Sequence, residues 1–400
     1  MRKSGLLALW ALGLLLAGCG PGGGTTPAAC TLTGSLTGER ELSPSGCSPY
    51  RVEREFVIEN TGRLTIQPGT TLEFAQDAKL VVEGHGVLKA VGTSTDKIAF
   101  LGAEPHRGYW SGVYLDHANS FDNELAFVEI EHAGGEGYWD PGAFEDYRAA
   151  LVLEGDSRIK LKDVLIRNSG GSGVFADEEV DLAAFERVAI TQGASFPLLV
   201  YARLVHRLDP ASDFTGNDPG MDYVRVADWN GIKTATWKRL SVPYLVENEL
   251  AVQDGELLTI EAGTRLVFEQ DAGIFVEGHG GGLHAEGTAT DKIVFTGLDA
   301  HAGYWCGLVF SDSNHSENLL EYAVVEYGGS GSCTQMYSSQ KANVLVESAG
   351  SGSSQFIRIR NSEIRHSAGY GVVIASETDA NDILGDNTFS DNVSGNLLVE

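Results

Sequence analysis

The sequence predicts an all-β protein, a solenoid of short parallel strands built from two tandem homologous copies of one unit. Three observations predict it. Segments of the first half return in the second at a nearly constant offset. Strand-forming triplets crowd together, split by Gly, Asn, Asp and Pro-Gly turns, and no long stretch carries a helical period. The alternation is short, apolar-polar-apolar, as when one side of each strand looks into a narrow core.

The repeat is explicit. Leu64-Thr65-Ile66-Gln67-Pro68-Gly69-Thr70 returns as Leu258-Thr259-Ile260-Glu261-Ala262-Gly263-Thr264. Pro49-Tyr50-Arg51-Val52 returns as Pro243-Tyr244-Leu245-Val246, Val82-Glu83-Gly84-His85-Gly86 as Val276-Glu277-Gly278-His279-Gly280, and Gly108-Tyr109-Trp110 as Gly303-Tyr304-Trp305. The offset is 259 − 65 = 194 early and 305 − 110 = 195 later, a single added Gly. Further on, Arg167-Asn168-Ser169 matches Arg365-His366-Ser367, and Leu198-Leu199-Val200 matches Leu397-Leu398-Val399. The expected organisation is a signal peptide over 1–18, a tether over 19–29, copy one with an N-terminal cap over 30–205, a Pro/Asp/Gly-rich linker over 206–222 and copy two over 223–400.

Within copy one, strands are expected at 56–58, 64–66, 71–74, 80–82, 87–88, 98–100 and 113–115, each rich in β-branched or aromatic residues. Only 178–188 could pass for a helical turn or two. Residues 30–50 are expected to cap copy one, and 223–241, with Trp229 and Trp237, to cap copy two or bridge the copies. Asn168, Asn361, Asn387 and Asn392 are expected at coil corners, stacked and bonded to one another, and Trp110 and Trp305 in the core. Short strands also suit a sandwich or a barrel, but no Asn-Gly hairpin turns join long strand pairs here, which favours the solenoid.

Both copies carry Tyr-x-Val, Leu-Thr-Ile-x-x-Gly-Thr, Val-Glu-Gly, Gly-Thr-x-x-Asp-Lys-Ile-x-Phe and Gly-Tyr-Trp-x-Gly in that order. Asn123-Glu124-Leu125-Ala126-Phe127-Val128-Glu129 and its counterpart from Asn318 to Glu326 follow. This run resembles the right-handed parallel β-helix domains, pectate-lyase-like with the pectin-lyase fold, of bacterial secreted proteins, and the resemblance covers nearly all of the mature chain. It implies a right-handed parallel β-helix. It implies little about activity, because that architecture hosts lyases, hydrolases and adhesins alike.

The N-terminus reads as a signal peptide: Arg2 and Lys3, then a short apolar stretch over 6–17, about a dozen residues where a membrane span needs ~20. Leu16-Ala17-Gly18-Cys19 resembles the lipobox of bacterial lipoproteins, which implies cleavage before Cys19 and lipid on its sulfur and new amino group. Gly20 is not the Asp that favours inner-membrane retention, so the expectation is a lipid-anchored envelope protein on the outer membrane or cell surface, with the membrane as partner through Cys19. The chain carries a net charge of −27, or −29 once Arg2 and Lys3 are removed. That charge excludes nucleic acid as partner, since such binding draws on Lys and Arg neutralising phosphates. With Cys19 assigned to lipid, four Cys remain in an exported chain. They can form two local pairs, Cys30 with Cys47 and Cys306 with Cys333, although spacing alone does not fix the connectivity.

The chemistry-bearing strings are weak. Gly84-His85-Gly86 and Arg158-Ile159-Lys160 resemble elements of polygalacturonases, but the first recurs at 278–280 as a feature of the coil, lies about three coils from Arg158, and lacks the family's upstream Asn-Thr-Asp and paired Asp. A lyase would need a basic residue and a cation beside a uronate. Lys160 and Lys162 align with Arg358 and Arg360, alternating with apolar residues and so facing solvent. Asp116, Asp122, Glu124, Asp312 and Glu317 could hold Ca²⁺, yet no calcium motif organises them, and no cofactor is expected. Where the copies diverge, copy one carries a loop crowded with aromatics and acids, and Tyr138, Trp139, Asp140, Phe144, Glu145 and Tyr147 are its candidate ligand contacts, because flat rings stack on sugars and carboxylates accept their hydroxyls. The expected role is non-catalytic recognition or structure, contacting polysaccharide or another surface protein. The alternative is a lyase or glycoside hydrolase acting on acidic glycans.

Overall fold

A computed structural model describes residues 30–140, 145–228, 231–278, 280–333, 338–348 and 355–400, with backbone alone at 138–140 and 145–146. The chain is nearly all β, in one 20-stranded and three six-stranded sheets. Among the described residues every strand pairing is parallel except one, the hairpin of Gly137–Asp140 with Glu145–Glu154. Long stacks of parallel strands are compatible with a parallel β-helix.

The apolar alternation explains the stacking. In Arg63–Ile66 and Thr71–Phe74 every second side chain, Leu64, Ile66, Leu72 and Phe74, is buried. Each such strand lies beside the next in sequence of its own type, so that Leu72 meets Phe100 and Leu64 meets Leu88. The second half repeats these registers, with Leu266 against Phe295 and Leu258 against Leu283. One inward row crosses from half to half without a break: Val174, Leu198, Val224, Tyr244, Leu266 and Phe295 pair in succession. Strand Val224–Ala227 therefore bridges, and Trp237 beyond it is fully buried; Trp229 lies outside the described residues. Residues 30–50 form two strands, Thr31–Leu36, paired in parallel with Tyr50–Ile58, and Glu39–Leu42, paired in parallel with Arg63–Ile66, and so make the first rung.

Two expectations change. The stretch 178–188 holds a strand, Asp181–Glu186, because its Leu182 and Phe185 are needed by the core beside Ile159 and Leu161. The 3-10 turn lies at Ala202–Arg207 instead. The corner asparagines do not form a side-chain stack. Asn387 accepts from Ser362 N and donates to Ile359 O and Ile383 O, and Asn392 accepts from Ser367 N and donates to Ile364 O, so each satisfies backbone left open where the chain bends. Left-handed backbone recurs at one corner, at Phe127 (φ 50°), Asp163 (φ 52°) and Arg187 (φ 49°) and again at Tyr322 (φ 47°) and Asn361 (φ 54°). Bulky residues rarely adopt it. Here the bend keeps the ladder intact, since Phe127 N still donates to Lys162 O at 3.0 Å and Asp163 N to Glu186 O at 2.9 Å.

Stacking also lines up like charges. Glu83 pairs with Asp116, and Asp116 with Glu154, on successive rungs. The Glu83 carboxyl titrates above its ordinary range, through partial burial first and then repulsion from Asp116, Glu59 and Glu55. A carboxyl raised in the folded state stabilises it only below the unfolded pKa, and that contribution is lost as pH rises through the folded value. Glu83→Gln is therefore expected to raise the melting temperature at pH 7 in low salt. The gain should shrink in ~1 M salt, where the Debye length is ~3 Å, and vanish at pH 3. A lower melting temperature at pH 7 would contradict this.

Candidate functional site

The residues proposed from sequence are placed unevenly. Cys19 and Phe144 lie outside the described residues, and Tyr138, Trp139, Asp140 and Glu145 contribute backbone to the hairpin, Tyr138 opposite Tyr147 and Asp140 opposite Glu145. Tyr147 is buried against the strand flank, its ring 5.1 Å from Phe175 in a cluster with Ala149, Val152 and Leu199, so it packs the hairpin down. Cys30 and Cys47 form a disulfide (Cα–Cα 5.6 Å), as do Cys306 and Cys333 (Cα–Cα 5.9 Å). The second ties the segment after Tyr327 to the strand Gly307–Ser311. Among the described residues, no three His, Cys, Asp or Glu side chains converge to hold a metal ion.

The structure assembles a different site, on the outer side of the six-stranded sheet that runs from Glu39–Leu42 to Asp181–Glu186. In Arg158–Lys162, Ile159 and Leu161 are buried, so Arg158, Lys160 and Lys162 point outward. One rung earlier a turn overhangs this surface, and two buried polar residues hold its shape. Asn123 accepts from Leu88 N and donates to Ala118 O, both at 2.9 Å. Ser157 Oγ accepts from Ala118 N and donates to Leu115 O, again at 2.9 Å. Anchored so, residues Asn119 to Asp122 stand over a cleft of about 610 Å³ lined by His85, Asn119, Ser120, Phe121, Asp122, Asp156, Arg158 and Asp181.

Its polar groups are ordered. Asn119 Nδ2 donates to Asp156 Oδ2 at 2.9 Å, which leaves Oδ1 as the acceptor for His85 Nδ1–H at 2.8 Å and turns His85 Nε2 toward the open side. Arg63 donates to Asp122 at 2.8 Å, and that bond, with the charges of Arg63, Lys89 and Lys160, holds the Asp122 carboxyl below the usual carboxylate range. Arg158 pairs with Asp181 at 3.1 Å while its guanidinium lies 3.8 Å over the Phe121 ring. Phe121 is 68% exposed, so one face of the ring is clamped and the other faces solvent.

His85 and Arg158 lie much closer than the three coils expected from their sequence separation. Sequence separation counts coils, but successive coils are only ~4.8 Å apart along the stack, and the coils here are long. His85 and Arg158 thus share one cleft. Sequence reasoning passed over Phe121, Asn119, Asp156 and Asp181. The usable signal was a Phe inside a turn of otherwise polar residues, Asn119-Ser120-Phe121-Asp122-Asn123, where an apolar ring has no core to enter. Compared with protein-family models, with curated proteins and with solved structures, the chain matches none.

Proposed function

We propose that this chain is a right-handed parallel β-helix of two tandem copies, 30–205 and 223–400, moored to the bacterial envelope through lipid on Cys19 and recognising polysaccharide without turning it over. The repeat, the parallel registers and the lipobox-like Leu16-Ala17-Gly18-Cys19 support the architecture and the outer-membrane or cell-surface location. The observation that carries the function is the Phe121 ring, clamped by Arg158 and open on its other face, beside ordered amide, imidazole, hydroxyl and carboxylate groups. Sugars present an apolar ring face and a rim of hydroxyls, which is the complement of that surface. Among the residues that line the cleft, one cation (Arg158) stands against three carboxylates (Asp122, Asp156, Asp181), 1 − 3 = −2, in a chain of net charge −27. A neutral, hydroxyl-rich polymer suits that balance better than a polyanion.

Phe121→Ala should weaken binding to a responsive neutral polysaccharide about tenfold, the equivalent of ~1.4 kcal/mol, with an unchanged circular dichroism spectrum. Calorimetry against a panel of soluble glucans, mannans and galactans tests it. Unchanged affinity in Phe121→Ala, with loss in the double variant Tyr138→Ala, Trp139→Ala, would move the contact to the hairpin.

A second reading rests on His85, Arg158 and three aspartates sharing one cleft, a composition that also suits glycan cleavage by a lyase or hydrolase. Hydrolysis requires one carboxyl kept protonated near neutrality beside an ionised partner. Asp122 is held ionised by Arg63, which weighs against it as the acid. Release of reducing ends or unsaturated product from neutral or uronate polymers would favour this reading over recognition alone.

A further inference from the structure

We infer that the sugar seated on Phe121 bears a free amine, held as an ammonium between Asp156 and His85; the inference rests on the reading of the Phe121 cleft and names its substrate class, a polymer of amino sugars. The three carboxylates of the cleft are not alike. Asp122 is bonded to Arg63 at 2.8 Å and Asp181 to Arg158 at 3.1 Å, so each has a cation of its own. Among the described residues, Asp156 has none. Its Oδ2 accepts from the neutral Asn119 amide, and its Oδ1 is left open. The side chain is exposed, in the turn between Glu145–Glu154 and Arg158–Lys162. Its charge is therefore whole, and one oxygen is available to a ligand.

Asn119 sets a second acceptor beside it. One amide takes His85 on its oxygen and Asp156 on its nitrogen, so the two side chains flank it. The His85 ring gives its Nδ1–H to that bond, and Nε2 keeps its lone pair. Asp156 Oδ1 and His85 Nε2 are thus neighbouring acceptors on the wall of one cleft. A sugar hydroxyl has one proton to give and can answer only one of them. A primary ammonium has three protons and can bond both at once. It also offsets the Asp156 charge, and hydrogen bonds between ionised groups are the stronger kind.

The ring and the surrounding charges point the same way. Arg158 covers one face of Phe121, and the other face is open. That face is the negative part of the ring quadrupole, which draws a cation and the electron-poor C–H groups beside one. The basic side chains that act on the cleft from the sheet, Arg63, Lys89 and Lys160, gather at Asp122. Asp116, Glu154 and Asp156 gather instead about His117, whose Nδ1 is bonded to Asp116 at 2.7 Å. The cleft therefore runs from a basic margin to an acidic one, and the acidic margin is where the amine fits. The net charge of −27 draws a polycation toward it from a distance.

Calorimetry of the full chain, near neutral pH and in low salt, uses three tetrasaccharides that share one β-1,4 backbone and carry hydroxyl, acetamide or amine at C2. The amine form should bind about tenfold tighter than the hydroxyl form, and the acetamide form should show no such gain. Asp156→Asn keeps the bond from Asn119 and removes the charge. It should abolish the preference for amine while the hydroxyl form binds as before, and that unchanged affinity reports an intact cleft. Phe121→Ala should weaken all three. Trilysine, which offers ammonium groups without a sugar ring, should bind weakly, and Phe121→Ala should not change that. A neutral sugar bound as tightly as the amine form, or a preference that survives Asp156→Asn, overturns the amine site and leaves the reading of the cleft standing. Trilysine binding that matches the amine form and falls in Asp156→Asn would assign the site to lysine side chains of a protein, and overturns it too. No binding of any sugar, in this series or among the glucans, mannans and galactans, overturns both.

Discussion

Truncation of Trp110 to Ala is expected to cost about 3–5 kcal/mol, and Trp305→Ala the same, because each removes the largest side chain from a fully buried position. The two indoles have matching surroundings. Trp110 stacks on Phe74 with centroids 3.8 Å apart, and Trp305 on Phe268 at 4.1 Å. Nε1 donates to Glu131 O in the first half and to Glu326 O in the second, both at 2.8 Å. Each ring therefore ties the corner before its own strand to the rung above. Loss leaves a cavity between two rungs plus an unpaired carbonyl, and neighbouring rungs cannot close it without breaking the parallel register on both sides. Trp110→Phe should cost less, about 1–2 kcal/mol, since it keeps the stack and forfeits the hydrogen bond. Denaturant unfolding followed by fluorescence measures this. In a stacked fold each rung contacts only its neighbours, so the loss should appear first as local opening, readable by hydrogen exchange around Glu131 or Glu326. A cost below ~1 kcal/mol for either, or a wide gap between the two, would mean that the halves do not share this joint.

The strands were readable because each places an apolar residue at every second position, and Trp110 and Trp305 because the repeat set the same ring in the same string twice. Two things lay beyond reach of the string. One is the way the halves join. Leu266 matches Leu72 in the repeat, yet Leu266 stacks in line with Leu198 and so with the row of Leu80, whereas Leu72 belongs to the separate row of Tyr50 and Phe100. The halves are joined one sheet out of step, an outcome set by the lengths of the segments around 202–243 and by the bridging strand Val224–Ala227. The other is the cleft. Its residues come from four separate stretches, at His85, Asn119 to Asp122, Asp156 to Arg158 and Asp181, which meet only because rungs stack. The aromatic loop stood out in the string for its composition, but Tyr147 is spent on packing against Phe175. Composition marks where aromatics gather and is blind to which of them the core takes.

Asn343→Ala is expected to cost about 3–5 kcal/mol at pH 7, although Asn343 sits in a strand and drew no notice in the sequence. It is fully buried and makes three bonds: Oδ1 accepts from Gly328 N at 2.7 Å, and Nδ2 donates to Val325 O at 3.0 Å and to Arg365 O at 2.8 Å. Val325 and Arg365 lie on adjacent rungs, so one amide clamps a corner across two levels of the stack. A buried backbone group left without a partner costs ~1–3 kcal/mol, and truncation removes the side-chain partner of three such groups. The matching position in the first half is Ala150, since Leu151 faces Val113 as Val344 faces Leu308, so the first half closes this corner by other means and supplies no spare amide. Asn343→Asp separates bonding from shape. At neutral pH its carboxylate would keep the bond from Gly328 N but face two carbonyl oxygens, whereas the protonated acid can donate to one of them. Its pKa should therefore be raised in the folded state, and its stability relative to wild type should be greatest below the unfolded value near 3.9 and fall as pH rises through the folded one. Denaturation of wild type, Asn343→Ala and Asn343→Asp between pH 4 and pH 8 tests the claim. A pH-independent gap between Asn343→Asp and wild type, or a cost under ~1 kcal/mol for Asn343→Ala, would show that the corner is held by its backbone alone.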